Sequence, residues 1–271
     1  MSSVASLLEN QRALVIGGGR GIGRAISLQL GEAGAAVAVV DLERDRAESV
    51  AAEIAKTGIA FPLVADVRQT EDVESAVREA REALGGIDVL ITVVGGNNAF
   101  VPWQPLHETS EEQWDLVSGI NLRYVFIVTR AVVRVMLEQG EGGSVVFTGS
   151  VSGMAGAPNH SAYGAAKAGV IHLARSLSLE YGRHGIRFNV VSPGYVLTPA
   201  VASALTSEQR QATAGRIPLG RAGAPEDIAR AVLFFASPLA GYVSGQHLAV
   251  DGGVTGRFPL PAPGTHPSEA G

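Results

Sequence analysis

The sequence predicts a doubly wound α/β fold, a parallel sheet with helices on both faces. Three observations carry that prediction: short, continuously apolar runs recur along the chain, longer stretches of helical patterning separate them, and the first run ends in a glycine cluster that opens the first helix. Strands covered on both faces read as unbroken apolar runs, and a parallel sheet needs a crossover between successive strands.

The first strand, ALVI (13–16), leads into GGGRGIG and a helix over about 21–33. AAVAVV (35–40) follows as the second strand, a helix at 43–56 comes next, and IAFPLVA (59–65) is the third strand. Thr70 with Asp72 and Val73 starts a helix over 70–84, its acidic first turn facing the positive end of the helix dipole. IDVLITVV (87–94) is the fourth strand, and 110–139 reads as one long helix before SVVF (144–147). A helix over 161–182 separates that strand from IRFNVV (186–191), and Pro225 with Glu226 opens a helix over 225–236 ahead of HLAV (247–250). No repeat or interior linker interrupts the series, so residues 1–255 are expected to form one domain. Residues 256–271, with prolines at 259, 261, 263 and 267, are expected to be an extended tail.

A composition of 46% hydrophobic and 17% charged residues with 34 glycines describes a globular chain with many tight turns and argues against disorder. The formal net charge of −5 argues against a nucleic-acid partner. With no cysteine, disulfides and thiolate metal sites are excluded. None of the six histidines stands at metal-ligand spacing from another ligand type, so no metal is expected, zinc-dependent alcohol oxidation is disfavoured, and the histidines should serve surface or packing roles. The opening residues lack the pattern of a secretion signal, and no stretch reaches about 18 uninterrupted apolar residues. A cytoplasmic protein with no membrane partner is expected.

The glycine cluster has a specific chemistry. Gly17, Gly21 and Gly23 let the backbone turn tightly, let a pyrophosphate approach and let the helix pack on the strand, with the helix N-terminus facing the phosphates. Asp41 closes the second strand 18 residues after Gly23. A carboxylate there accepts hydrogen bonds from ribose hydroxyls and repels a 2′-phosphate, which favours NAD over NADP. Arg20 and Arg44 are the residues that could instead meet a phosphate, and Asp66 could either reach the adenine edge or cap the following helix.

In SAYGAAKAGV (161–170), Tyr163 and Lys167 lie four residues apart, so on a helix an ammonium comes close to a phenol. A tyrosine with a pKa of about 10 is a poor base at neutral pH, and a neighbouring cation favours its anion. An ordinary amphipathic helix shows the same bare spacing. The rest of the chain gives the pair its meaning.

Taken together, these segments resemble the short-chain dehydrogenase/reductase (SDR) family over nearly the whole chain, apart from its first few residues and the Pro-rich tail. The G-x-x-x-G-I-G turn is Gly17 to Gly23, the acidic residue is Asp41, and ADV contains Asp66 and Val67. Asn121 lies in GINLRYVF, Ser150 in FTGSVSG, and Tyr163 and Lys167 form Y-x-x-x-K. SPGYVLT supplies Pro193, Gly194, Val196 and Thr198, and VDGG closes the last strand. The resemblance implies a Rossmann fold with a seven-stranded sheet, a homotetramer or homodimer, and NAD(P)-dependent interconversion of an alcohol and a carbonyl. It implies Tyr163 as general acid/base and Lys167 as the residue that holds the nicotinamide ribose. Lys167 and the positive nicotinamide ring would together bring the phenol towards the working pH. Ser150 would donate to the substrate oxygen as charge develops, and Asn121 would fix a water linking Lys167 to solvent. Thr198 and the Val196 backbone would meet the nicotinamide carboxamide. Gly19, Arg20, Ile22, Leu42, Val67 and Gly95 complete the implied cofactor-binding set.

Two positions depart from the family pattern. Ile16 stands where the family has Thr, and Thr92, Val93, Val94 and Gly95 stand where it has Asn-Asn-Ala-Gly. In the family a hydrogen bond links that Thr to the Asn stretch; replacing both partners by apolar groups can be nearly neutral. An apolar Ile16–Val93 contact in an intact fold is therefore expected.

The segment 196–215 falls where the family carries its substrate lid and is rich in Ala, Val and Leu near its start. Phe100, Trp103, Val151 and Tyr195, with Ser150, are candidate pocket residues, and they point to a hydrophobic secondary alcohol or ketone. A lid helix also needs apolar residues simply to pack. The alternative is a 3-oxoacyl carrier-protein or CoA reductase, against which stand Asp41 and the placement of Gly140 and His184 where basic residues would grip an acidic carrier, though Arg183 is adjacent. An alternative of another class, a non-catalytic dinucleotide sensor or scaffold, is disfavoured by the retained Ser150, Tyr163 and Lys167.

Overall fold

The computed structural model describes residues 6–96 and 101–256. The candidate pocket residue Phe100 and the tail from 257 onward lie outside them. The apolar runs form β1 (Arg12–Ile16), β2 (Ala36–Asp41), β3 (Ala60–Val64), β4 (Val89–Thr92), β5 (Gly143–Thr148), β6 (Ile186–Pro193) and β7 (His247–Val250). All pair in parallel, in the order β3-β2-β1-β4-β5-β6-β7. Pro62 sits in β3, an edge strand, where its missing N–H interrupts no ladder on the outer side.

The helices between them are α1 (Gly21–Glu32), α2 (Arg44–Ile54), α3 (Thr70–Leu84), α4 (Glu111–Ser118), α5 (Tyr124–Gln139), α6 (Ser161–Tyr181), α7 (Pro199–Ala204), α8 (Ser207–Ala214) and α9 (Pro225–Ala236). Side chains alternate across each strand, so the inner strands feed two cores. Leu14, Ile16, Leu90 and Phe147 pack with α3, α5 and α6 on one face. Ala13, Val15, Ile91 and Val146 pack with α1, α2 and α9 on the other. The chain reverses its direction of travel across the sheet between β1 and β4. In such sheets the ligand crevice opens at that point, beyond the carboxyl ends of the strands.

The stretch read as one helix over 110–139 is α4 and α5 joined through a π-helical turn, Gly119–Arg123, which contains Asn121. Such turns widen the helix by one residue and recur at functional sites. The run Glu111–Gln139 is long and apolar enough to cross a membrane, yet 56% of its apolar window is buried inside the fold. Its hydropathy is that of a helix packed on a sheet.

The expected Ile16–Val93 side-chain contact is not formed. Ile16 stands opposite Thr92 in the β1–β4 register. Val93 donates its backbone N–H to the Ile16 carbonyl at 2.9 Å, but its side chain belongs to the opposite face. A strand repeats every two residues, so a neighbour displaced by one position points away. The residue beside Ile16 is Thr92, whose hydroxyl is buried beside the Tyr124 phenol.

Gly23 is the tightest point of the glycine cluster, because a Cβ there would run into the Gly17 carbonyl oxygen. Gly23→Ala is expected to lower the melting temperature by roughly 5–10 °C, as a backbone clash of about 2–3 kcal/mol would in a domain of this size. Gly58→Ala, whose Cβ would have its nearest neighbour at 3.7 Å, should leave it unchanged. Equal melting temperatures for the two variants would contradict the packing argument.

Candidate active site

The nucleotide-binding turn begins where β1 ends. Gly17 has φ +86°, and the N–H groups of Gly17 and Gly18 donate to the Val40 carbonyl at 2.8 and 2.9 Å, tying the turn to β2. Arg20, exposed, occupies the N-cap of α1 without a side-chain cap, and the first turn holds no acidic residue. The leading N–H groups of α1 therefore remain available to an anion. Gly21, with φ +52°, has the Thr198 methyl 3.5 Å from its would-be Cβ, so the start of the lid segment faces the turn. Ile22 packs against the core on the α1 side, and Leu42, just past β2, is exposed.

Asp41 is buried at the end of β2 and accepts from Gly19 N–H at 3.1 Å and Glu43 N–H at 3.2 Å. The arginine beside it is Arg46, at 3.8 Å, which the sequence reading missed. Arg44 instead pairs with Glu48 on the surface of α2. Asp66 does not cap α3, whose N-cap is Gln69. It accepts from Arg68, backbone and side chain, and the guanidinium holds its carboxyl below the usual range. Val67 beside it is buried.

At the carboxyl end of β4, Gly95 has φ +151°, and its would-be Cβ lies 2.5 Å from Asn121 Oδ1 and 3.1 Å from Lys167 Nζ. Asn121 is fully buried; its Oδ1 accepts from Gly96 N–H at 3.0 Å, and its Nδ2 donates to the Gly96 and Val117 carbonyls at 2.9 Å. The π-helical turn is what leaves this side chain in reach of both segments. Beyond β5, Ser150 Oγ accepts from Ser152 N–H at 3.1 Å and begins the short turn Val151–Gly153.

Tyr163 and Lys167 share a face of α6, as their spacing predicts. Lys167 is 2% exposed, donates to the Thr148 carbonyl at 2.9 Å, and lies 5.7 Å from the centre of the Tyr163 ring. Burial lowers its pKa to about 8. Burial also pushes the Tyr163 phenol up, opposed by the Ser150 hydroxyl. In the protein without cofactor, burial therefore sets the direction of the shift, and Lys167 is not among the groups that offset it.

His160, at the head of α6, is sandwiched between two aromatic rings. Its imidazole stacks on Tyr163 at 4.6 Å and on Trp103 at 4.3 Å. Burial lowers its pKa, so the ring is neutral near pH 7. This is the packing role expected of the histidines, but its location against Tyr163 was not foreseen; the signal was its position one turn before that residue.

On the far side, β6 ends at Pro193, and Gly194 donates to Val250 at 3.0 Å. Val196 bridges to Gly223, and Thr198 caps α7 by accepting from Val201 N–H at 3.3 Å. Thr148, Ser192 and Tyr195 each hold a buried hydroxyl without a hydrogen-bond partner. Together with the uncapped α1 and the glycine turn, these orphaned groups at one end of the sheet fit a large polar ligand such as a dinucleotide.

A family model described as enoyl-(acyl carrier protein) reductase matches residues 17–255. The chain is 36% identical over 259 residues to 2-(S)-hydroxypropyl-CoM dehydrogenase 3 of Xanthobacter autotrophicus, spanning 93% of this chain and 99% of the relative. It is 36% identical over 249 residues to the 3-oxoacyl-[acyl-carrier-protein] reductase FabG of Thermotoga maritima, spanning 91% and 98%. The solved structure of levodione reductase superposes with a TM-score of 0.85 at 32% identity, covering 93% of this chain and all of that one. The chain belongs to the short-chain dehydrogenase/reductase family. It is therefore an oxidoreductase of a family that uses nicotinamide dinucleotides.

The buried ammonium has a thermodynamic signature. Between about pH 8 and the ordinary lysine value of 10.5 the unfolded chain binds this proton and the folded chain releases it, so folding stability gains with rising pH there. Below pH 8 both states are charged, and the desolvation cost, on the order of 3 kcal/mol, is fully present. Lys167→Met should therefore gain on the wild type most at pH 7, with the difference shrinking as pH rises from 8 to 10.5 in urea unfolding. A pH-independent difference would contradict the shift.

Proposed function

We propose that the chain is an NAD(H)-dependent oxidoreductase that interconverts a hydrophobic secondary alcohol and its ketone, with Tyr163 as general acid/base. The observation that carries this reading is the gathering of Ser150, Tyr163 and Lys167 beyond β5, one crevice away from the buried Asp41 at the end of β2. A bound dinucleotide supplies or accepts the hydride. Tyr163 moves the proton at the substrate oxygen, and Ser150 donates to that oxygen as charge builds on it. Lys167 holds the nicotinamide ribose and favours the phenolate, and Asn121 links Lys167 to solvent through a water. The N–H groups at the head of α1 meet the pyrophosphate, and Asp41 accepts from the adenosine ribose. Trp103, 51% exposed, and Val151 offer the apolar wall, with the Val196–Gly215 lid above.

The second reading, a 3-oxoacyl thioester reductase, draws support from the FabG relative at 36% identity. Against it stand Asp41, which disfavours a 2′-phosphate, and the α5 end, where Gly140 occupies a left-handed turn and offers no cation. Arg183 is engaged with His184 at 3.1 Å.

NADH and NADPH oxidation against cyclic, aromatic and steroidal ketones and 3-oxoacyl thioesters separates the two. Turnover of bulky ketones with NADH is expected; turnover of thioesters alone, with NADPH alone, would favour the second reading. Tyr163→Phe should reduce kcat by about 10²–10⁴-fold while leaving NADH affinity nearly unchanged. Residual activity within about tenfold of wild type would remove Tyr163 from the chemistry, since general acid–base groups contribute more than that. Asp41→Ala should raise the KM for NADH and lower that for NADPH; an unaltered ratio would refute the role given to this carboxylate.

A further inference from the structure

The carboxyl end of β4 is held beneath the nucleotide-binding turn by more than the Val93 N–H on the Ile16 carbonyl. Tyr124 is the first residue of α5 after the π-helical turn, is 1% exposed, and donates its phenol to the Val94 carbonyl at 2.7 Å. Val94 in turn fills the space under Gly17. A Cβ at Gly17 would lie 2.7 Å from Val94 Cγ2 and 3.0 Å from Val94 N. The next two residues are Gly95, wedged against Asn121 and Lys167, and Gly96, held at both its N–H and its carbonyl by Asn121. One buried phenol thus fixes a segment that touches the nucleotide-binding turn on one side and the Lys167–Asn121 pair on the other. The Thr92 hydroxyl lies beside the same phenol, and it is the phenol that reaches the Val94 carbonyl.

We propose that Tyr124 is a positioning residue for the dinucleotide, setting the separation of the Gly17 turn and the 94–96 segment through Val94. The inference rests on the dinucleotide chemistry of the family and is independent of the choice between NADH and NADPH and of the substrate.

The test pairs two readouts on Tyr124→Phe, a change that removes one oxygen and leaves the ring to pack. Amide hydrogen exchange on the cofactor-free protein should accelerate about tenfold at residues 94–96, and the dissociation constant for the bound dinucleotide, followed by fluorescence, should rise about tenfold, while kcat at saturation stays within about threefold. Val94→Ala keeps the phenol–carbonyl bond and removes the wedge under Gly17, so it should weaken dinucleotide binding with exchange at 94–96 unchanged. Unchanged exchange and unchanged binding in Tyr124→Phe overturn the inference, as does a lowered melting temperature with unaltered binding, which marks a purely structural residue. Should Tyr124→Phe not fold, unaltered binding in Val94→Ala overturns it. Wild-type protein that binds neither NADH nor NADPH would overturn the cofactor reading itself, and this inference with it.

Discussion

The site is organised around a buried charge. Lys167 sits inside the protein with its ammonium on a single carbonyl, that of Thr148, and desolvation is the only influence acting on its acidity among the described residues. A cation so placed is costly, since its attraction to water is lost and no carboxylate replaces it. It is tolerable because α6 is clamped to β5 and β6 by an apolar core that includes Val170, Ile171, Phe147 and Phe188. The same clamp brings Tyr163 and Ser150 to the strand ends, and it leaves no room for a side chain at Gly95 beside Lys167 and Asn121. The geometry of the candidate site is thus a consequence of how the sheet accommodates one ammonium.

This view changes the meaning of the Tyr–Lys spacing. Proximity alone would have the ammonium acidify the phenol, and the phenol would be a ready base. Burial acts on both groups in the direction of neutrality, lowering Lys167 and raising Tyr163. The acidity of Tyr163 is accordingly not a property of the chain alone. On the proposed function, it is completed by what binds in the crevice, and His160, a neutral ring stacked on the phenol, holds its orientation without adding charge.

The elements that were legible in the sequence are those whose physics is local. Apolar runs between helical stretches became the strands of a parallel sheet, and the glycines after ALVI became the turn they imply, because a backbone with φ +86° at Gly17 needs glycine whatever lies around it. The illegible features depend on parity, width or burial. Ile16 and Val93 were one residue out of register, so a contact that the family pattern suggested fell on opposite faces. The π-helical turn at Gly119–Arg123 carries no compositional mark, yet it aims Asn121. Arg46 rather than Arg44 faces Asp41 because two residues along a helix turn the side chain by more than half a revolution.

A further pattern becomes visible only when the strands are stacked. β4 is VLIT, β5 is GSVVFT and β6 is IRFNVVSP, each bearing a hydroxyl residue at or next to its carboxyl end. Thr148 and Ser192 lie at the same end of the sheet on opposite faces, since Thr148 stands beside Val191, and both hydroxyls are buried without partners. Each such group costs roughly 1–3 kcal/mol if it stays unpaired, which is large against the net stability of a domain. The opposite rim shows the contrast: Arg12 and Asp88, at the amino ends of β1 and β4, are paired by two hydrogen bonds of 2.6 and 2.7 Å. That pair is satisfied within the chain, whereas Thr148 and Ser192 carry unmet hydrogen-bonding capacity at the carboxyl ends of β5 and β6. Polar groups left free at the carboxyl ends of parallel strands are ones that a polar ligand bound there could satisfy.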